Sequence, residues 1–525
     1  MRTILSLFAS VALFAQVNVP YERIRDAGKE PGNWLTYSRD YTGNRYSPLD
    51  QIHTGNVGKL RIAWMRQVNE LDTFETSPIV VDGMIFITEP PNEVAALDAR
   101  TGRTLWRYRK ELPIDLRLCC GKVNRGLAIL GDTVYYGSTD AHLIALDART
   151  GNLRWDVTMA DYKNGYSSTG APLAVKDKII TGMAGGEFGV RGFIDAYDAK
   201  TGKRAWRFHT IPAKGEPGNE TWDGDSWKTG AATTWVTGVY DPEINTVYWG
   251  TGNPGPDWNG DARKGDNLYS DCLIALDPDT GVKKWHFQYT PHDVNDWDST
   301  QTPILADTMV QGQPRKIVVL ANRNGFYYAL DRISGKFVAG QAYVKQTWAS
   351  GLDEAGRPMR LPNTTPSLEG NLLWPSLGGG SNWYSSTYSP KTDLYYVNAK
   401  EQAAIYYKGD AEYKPGANFN GGGQRDYKEE DPYGAVRALE VATGKARWEY
   451  RLHSPSHAGL MSTAGGLVFG SNNSSFFALD AKKGDLLWRF ETGGNIDANP
   501  ISYMSEGKQY VVIPSGHAML VFALD

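Results

Sequence analysis

Four short polar segments in a chain of 525 residues carry side chains of the types that bind a hard cation. They are Gly185-Gly186-Glu187, Gly250-Thr251-Gly252-Asn253-Pro254, the run Pro291-His292-Asp293-Val294-Asn295-Asp296-Trp297-Asp298, and Asn322-Arg323-Asn324-Gly325. Carboxylates with an amide oxygen, and no paired His or Cys, are ligands for a hard cation. Asp296 and Asp298 lie two apart, so in a strand they share a face and in a loop both can turn to one ion. Two bare carboxylates about 4 Å apart repel by roughly 4 kcal/mol at an effective dielectric near 20, and a bound cation reverses the sign. Taken singly, each Asn or Asp reads more readily as a turn former than as a ligand. His292, between a proline and turn acids, reads as structural, with a base role as the second reading. Cys119 and Cys120 are adjacent, and are either two ordinary thiols or a strained eight-membered disulfide ring. Cys272 reads as a small buried residue. There is no Cys-x-x-Cys-His for a c-type haem, no Gly-x-Ser-x-Gly elbow, and no nucleotide loop at either Gly-Gly-Gly run.

The elements that must position these residues come from a repeat. An apolar strand, then Ala-Leu-Asp, then a Thr-Gly turn, then a tryptophan recurs along the chain. Ala96-Leu97-Asp98, Thr101-Gly102 and Trp106 form the cleanest copy. Further copies end at Trp155, Trp206, Trp285, Trp448 and Trp488, and Ala329-Leu330-Asp331 carries Phe337 where the Trp would stand. Glycine supplies the turn's positive φ, and the Asp can accept from the turn's N–H groups. Spacings of roughly 40–54 residues suit four-stranded propeller blades, which must stack to bury their faces. Trp64 opens the series without its Ala-Leu-Asp half, and Ala523-Leu524-Asp525 is that half without a Trp. The expectation is an all-β, eight-bladed β-propeller with Trp-docking motifs, its ring closed by pairing of the C-terminal strand within the N-terminal blade. Closure removes the open sheet edge. The long gaps, Trp206 to Asp277 and Asp331 to Glu440, read as insertions on one face that build the binding site.

Composition sets the remaining bounds. Fifty-seven glycines and seventeen tryptophans suit many turns and many aromatic plugs. A net charge of −4 with no basic run argues against nucleic acid as a partner. Residues 1–15, Met1-Arg2 followed by an apolar stretch and small residues, read as a secretory signal cleaved near Ala15-Gln16, with a buried first strand as the alternative. No stretch is long enough to span a bilayer. Residues 16–525 then form one domain.

Together these segments on a Trp-docked ring resemble the quinoprotein alcohol dehydrogenases that use pyrroloquinoline quinone (PQQ), over essentially the whole mature chain. The resemblance implies that Cys119-Cys120 is a vicinal disulfide against one face of the quinone and that Trp235 stacks on the other. Glu75, Arg125, Thr169, Gly185, Gly186, Thr233 and Asn382 fall on cofactor-binding positions, and Arg323 falls beside the quinone carbonyl oxygens. Glu187 and Asn253 match metal ligands, and Asp296 matches the catalytic base. Asp298 falls on the extra acid that marks the lanthanide-dependent branch, where calcium-dependent relatives carry a small or neutral residue. In two departures, Phe476 falls at a position resembling a further cofactor-contacting Trp, and Ala184 replaces a Ser.

The implied activity is periplasmic oxidation of primary alcohols to aldehydes. Hydride passes to PQQ activated by a lanthanide, with Ca²⁺ as the alternative ion. Arg323 steadies the developing oxyanion and Asp296 takes the hydroxyl proton. A separate soluble cytochrome c accepts the electrons, and a homodimer is possible. The competing class is a non-catalytic propeller scaffold, which would have no use for the Cys pair and the acids together.

Overall fold

The computed structural model describes residues 17–68 and 72–525. The expected signal at 1–15 lies outside them. Strands dominate, and the sole α-helix among the described residues is the single turn Tyr21–Arg25. The protein folds as an all-β propeller.

Four antiparallel strands make up each large sheet, and Tyr46–Ser47 adds a fifth, parallel strand beside Met461–Thr463. The first comprises Ile79–Val81, Met84–Glu89, Glu93–Asp98 and Thr104–Arg109. Comparable sheets follow from Ala128–Leu130, Leu173–Val175, Val239–Asp241, Ile304–Val310, Thr387–Ser389 and Met461–Thr463. The last joins Ile501–Ser505, Lys508–Ser515 and Ala518–Ala523 to Arg61–Gln67 from the other end of the chain, with Trp64 opposite Val521. Burial explains the strand order. The second and third strands are buried along most of their length, as in Met84–Glu89 and Glu93–Asp98. The fourth alternates inward and outward, as in Thr104–Arg109. One edge of each sheet therefore meets solvent.

The repeated words have a local physical meaning. Asp98 Oδ1 accepts from the N–H groups of Arg100 and Thr101 and from the Thr101 hydroxyl, at 3.1, 2.9 and 2.8 Å. Gly102 sits at φ +72° and closes the turn. Ala96 pairs with Trp106 but Leu97 pairs with Thr104, so the fourth strand bulges at the same place in repeat after repeat. The indole Nε1 atoms of Trp106, Trp155, Trp206 and Trp448 donate to carbonyls of the following sheet, those of Ala148, Ala199, Pro278 and Ala481, at 2.9–3.1 Å. The turn glycine of that following sheet stands on the indole. A Cβ on Gly151 would come within 2.5 Å of Trp106, and one on Gly484 within 2.6 Å of Trp448. Phe337 departs from this pattern. It packs on Gly356 and Leu352, and Tyr327 takes the seat beneath Gly444, with its hydroxyl donating to Val441 O at 2.7 Å.

The second long insertion, between Asp331 and Glu440, carries two small sheets, Ala349–Leu352 with Pro358–Arg360 and Asn371–Leu373 with Ala404–Lys408 and Gly422–Asp426. Loops from both long insertions and from most of the large sheets converge on one central cavity.

Candidate active site

The cavity has a volume of about 490 Å³, in the range that accommodates a tricyclic ligand. The fifteen residues expected from the sequence to hold the cofactor and metal or to act in catalysis all line it.

One wall is acidic. Glu187 comes from the short turn of helix Gly186–Phe188, entered through Gly185 at φ +114°. Asn253 and Gly252 follow the strand Thr246–Gly250. Asp296 and Asp298 flank Trp297, which is fully buried in the opposite direction and donates to Ser376 O at 3.2 Å. Asp293 braces that loop by accepting from the N–H groups of Asn295 and Trp297 at 2.9 and 2.7 Å. With Trp297 anchored outward, both acids turn to the cavity. Asp296 does so at φ +58°, a left-handed conformation that costs a non-glycine residue about 1 kcal/mol or more and that clusters at functional sites. Gly252 is required here, because a Cβ would collide with Asp298 Oδ1.

Asp298 is the hub. Its Oδ1 accepts from Asn253 N at 3.0 Å, and its Oδ2 accepts from Arg323 Nη1 at 2.6 Å and Trp235 Nε1 at 3.2 Å. Arg323 Nη2 lies 3.9 Å from Asp296 Oδ1 and donates to Leu377 O at 2.7 Å. Burial works against the Arg323 charge, but Asp298 and Asp296 prevail and hold its pKa above the ordinary arginine value. The acids respond in the opposite sense. Desolvation first, then mutual repulsion, pushes Glu187 up and Asp296 well above the carboxylate range. Buried carboxylates in such number, with one arginine between them, fit a site that holds a hard cation.

The rest of the cavity suits a flat polyanion. Arg125 lies 4.9 Å from the ring centre of Trp235 and 4.5 Å from that of Trp383. Its Nη2 is 2.8 Å from Glu75 Oε2, yet burial outweighs the ion pair and pushes the Glu75 carboxyl up to about 7. Thr169 fixes the Arg125 backbone, its carbonyl accepting from Arg125 N at 3.0 Å. Thr233 O accepts from Gly252 N at 2.6 Å, tying the Trp235 segment to the acidic wall. Asn382 donates to Gly378 O at 3.2 Å. The Nε atoms of Arg125 and Arg323 are buried without a hydrogen-bond partner. These unsatisfied charged groups point to a polar ligand that would complete them. Cys119 and Cys120 are free thiols with Sγ atoms 2.7 Å apart, and Cys120 Sγ lies 3.9 Å from Glu187 Oε1. Glu187 and the two thiols could gather at one ion, although thiols and hard cations are poorly matched.

Several residues escaped the sequence reading. Asp257, buried behind the acidic wall, accepts from Asn253 Nδ2 at 2.8 Å and leaves the amide oxygen as the ligand end. Burial and Glu187 push its carboxyl well up. Trp383, Lys400, Gln424 and His457 also line the cavity. The Asn253-Pro-Gly-Pro-Asp257 spacing was a visible signal for Asp257. Lys400 and His457 had none, because their blades place them there. Phe476 is corrected: it is fully buried against Phe469, Trp488 and Phe522, away from the cavity. His292 Nδ1 lies 2.8 Å from Gly265 O and its pKa falls to about 4 through burial, which is the structural role.

A propeller with a cation wall and a cationic, aromatic slot at its centre defines a class, and comparison with known proteins gives the family. Residues 34–346 and 451–511 match the family described as "PQQ: Glucose/ethanol/alcohol dehydrogenase, beta-propeller domain". The chain is 39% identical to the quinoprotein alcohol dehydrogenase PedH of Pseudomonas putida, covering 96% of this chain and 89% of that one. It is 37% identical to the lanthanide-dependent methanol dehydrogenase of Methylacidiphilum fumariolicum, covering 98% and 89%. Among solved structures, a europium-containing methanol dehydrogenase superposes with a TM-score of 0.91 at 34% identity, covering 96% of this chain and all of that one. The protein belongs to the PQQ-dependent alcohol dehydrogenase family.

Proposed function

We propose that the protein oxidises primary alcohols to aldehydes with PQQ and a lanthanide ion bound in this cavity, on an eight-bladed, Trp-docked ring closed by the C-terminal strand. The observation that carries the reading is the acidic wall: Glu187, Asn253, Asp296 and Asp298 drawn from three sheets onto one cavity beside Arg323. When bound, PQQ supplies a hydride-accepting quinone carbonyl and the cation supplies Lewis acidity. This chain's residues do the rest. Trp235 and the Cys119-Cys120 pair, joined as a disulfide in the oxidising periplasm, fix the ring plane. Arg125, Thr169, Glu75, Thr233, Asn382 and the backbone at Gly185-Gly186 hold the polar edge. Asp296 takes the hydroxyl proton, and Arg323 donates to the oxygen that gains charge.

Three carboxylates favour a trivalent ion over Ca²⁺ on Coulomb grounds. The presence of a lanthanide-dependent methanol dehydrogenase among the relatives supports this. A specific observation keeps Ca²⁺ as the second reading: Asp298 Oδ2 already accepts from Arg323 and Trp235. In this reading the electrons leave to a soluble cytochrome c. Export of residues 16–525 to the periplasm, and assembly as a homodimer, belong to the same reading.

Reconstitution of cofactor-free protein with PQQ plus La³⁺ or Ca²⁺, assayed by dye-linked oxidation of an alcohol panel, tests it. Activity with La³⁺ well above that with Ca²⁺ is expected. Equal activity, or activity with Ca²⁺ alone, overturns the role given to Asp298.

A further inference from the structure

Lys400 is a buried cation for which the mechanism has no use. It stands near the end of the strand Leu394–Glu401, 3% exposed, and its side chain lines the central cavity. Its Nζ lies 5.2 Å from the ring centre of Tyr384, and a Cβ on Gly378 would sit 3.6 Å from it. Among the described residues this ammonium group makes no hydrogen bond or ion pair, and Asp497 attracts it only at longer, Coulombic range. The contrast with other buried cations is direct. Arg45 donates to Tyr37 O and Pro500 O, and Arg263 donates to Pro256 O and Asp293 O. An unpartnered buried charge is costly, and proteins keep one where a ligand completes it. His457 faces the same end of the cavity, its ring 3.8 Å from Asp497. The proximity of Lys400 is the first cause that lowers the His457 pKa, so the two side chains share one electrostatic neighbourhood.

We infer that Lys400, with His457 beside it, is a carboxylate-binding site for the cofactor, taking a carboxylate of PQQ that Arg125 does not hold. This rests on the PQQ reading above. PQQ carries three carboxylates, and one guanidinium fork pairs with one of them. The cavity walls offer Arg125, Arg323 and Lys400, and Arg323 is committed to Asp298. Lys400 is the cation left free to meet a further carboxylate. Burial and Arg323 push its pKa down to about 7, against the partial opposition of Asp497.

The test is a titration of PQQ into metal-loaded wild-type protein, Lys400→Met and Lys400→Arg, read by the absorption of bound PQQ, alongside melting of the cofactor-free proteins. Lys400→Met should bind PQQ about 10–100-fold more weakly while melting no lower than wild type, because it removes an unpaired buried charge. Lys400→Arg should recover part of the loss. The trimethyl ester of PQQ should bind wild type and Lys400→Met with nearly equal affinity. If Lys400→Met binds PQQ within twofold of wild type, or loses the same factor for the ester as for the triacid, the assignment is overturned. A lower melting temperature without a change in affinity overturns it too, and makes Lys400 structural. Failure of wild type to bind PQQ at all would instead remove the proposed function.

Discussion

Asp298 carries more of the site than its place in the sequence suggested. It was read as an added metal ligand, and the structure also makes it the anchor for Arg323, Trp235 and the Asn253 backbone. Asp298→Ala should therefore abolish La³⁺-supported turnover and disorder the arginine as well. Arg323→Lys keeps the charge but loses the fork, and kcat should fall on the order of 10²-fold in the dye-linked assay. Asp257→Ala removes the acceptor that fixes the Asn253 amide. Metal affinity, read by titration of a luminescent lanthanide, should weaken about 10–100-fold. Glu75 gives a pH prediction. Its folded pKa of about 7 stands above the 4.5 of the free side chain. The folded, cofactor-free protein thus binds an extra proton between those values, and its stability falls as pH rises through that window. The loss is on the order of 3 kcal/mol. Melting curves at pH 5 and pH 8 should show the drop in wild type and a smaller one in Glu75→Gln. At this scale the sequence displayed the acids and amides, whose types announce their chemistry. It did not display Lys400 or His457, because a lysine in a strand and a histidine in a loop look like ordinary surface residues until the fold brings them to the cavity wall.

Strands and turns explain why the pattern was readable at the level of elements. The Asp98 turn and the alanine–leucine bulge are local, so their words recur wherever the geometry recurs. The tryptophan acts between neighbouring sheets. Trp106 holds the Ala148 carbonyl and lies under Gly151. Trp106→Ala should cost about 3–5 kcal/mol in denaturant unfolding, and Gly151→Ala about 1–3 kcal/mol through overpacking at φ +74°. The one misread element is instructive. Phe337 stands where a Trp would, yet the seat under Gly444 is filled by Tyr327 from the preceding strand. An aromatic at the right spacing is ambiguous when an insertion, here the one bearing Ala349–Leu352 and Pro358–Arg360, offers it another surface.

At the scale of the whole molecule, one pairing joins the ends of the chain: Arg61–Gln67 lies antiparallel to Ala518–Ala523. Deleting residues 518–525 leaves that sheet without its third strand. The truncated protein should aggregate and lose its cooperative melt, whereas removing Asp525 alone should do neither. The pairing was legible because the Trp half and the Ala-Leu-Asp half of one repeat stood at opposite ends of the sequence. What the sequence did not display was the depth of the cavity, which depends on two insertions and several sheets meeting. The central claim is that this meeting place holds a quinone and a highly charged ion side by side. Anomalous diffraction at a lanthanide edge, from crystals grown with PQQ and La³⁺, tests it most directly. The account predicts a single strong peak within ligand distance of Glu187, Asn253, Asp296 and Asp298, against planar density between Trp235 and the cysteine pair. A peak elsewhere, or a cavity without cofactor density, would contradict it.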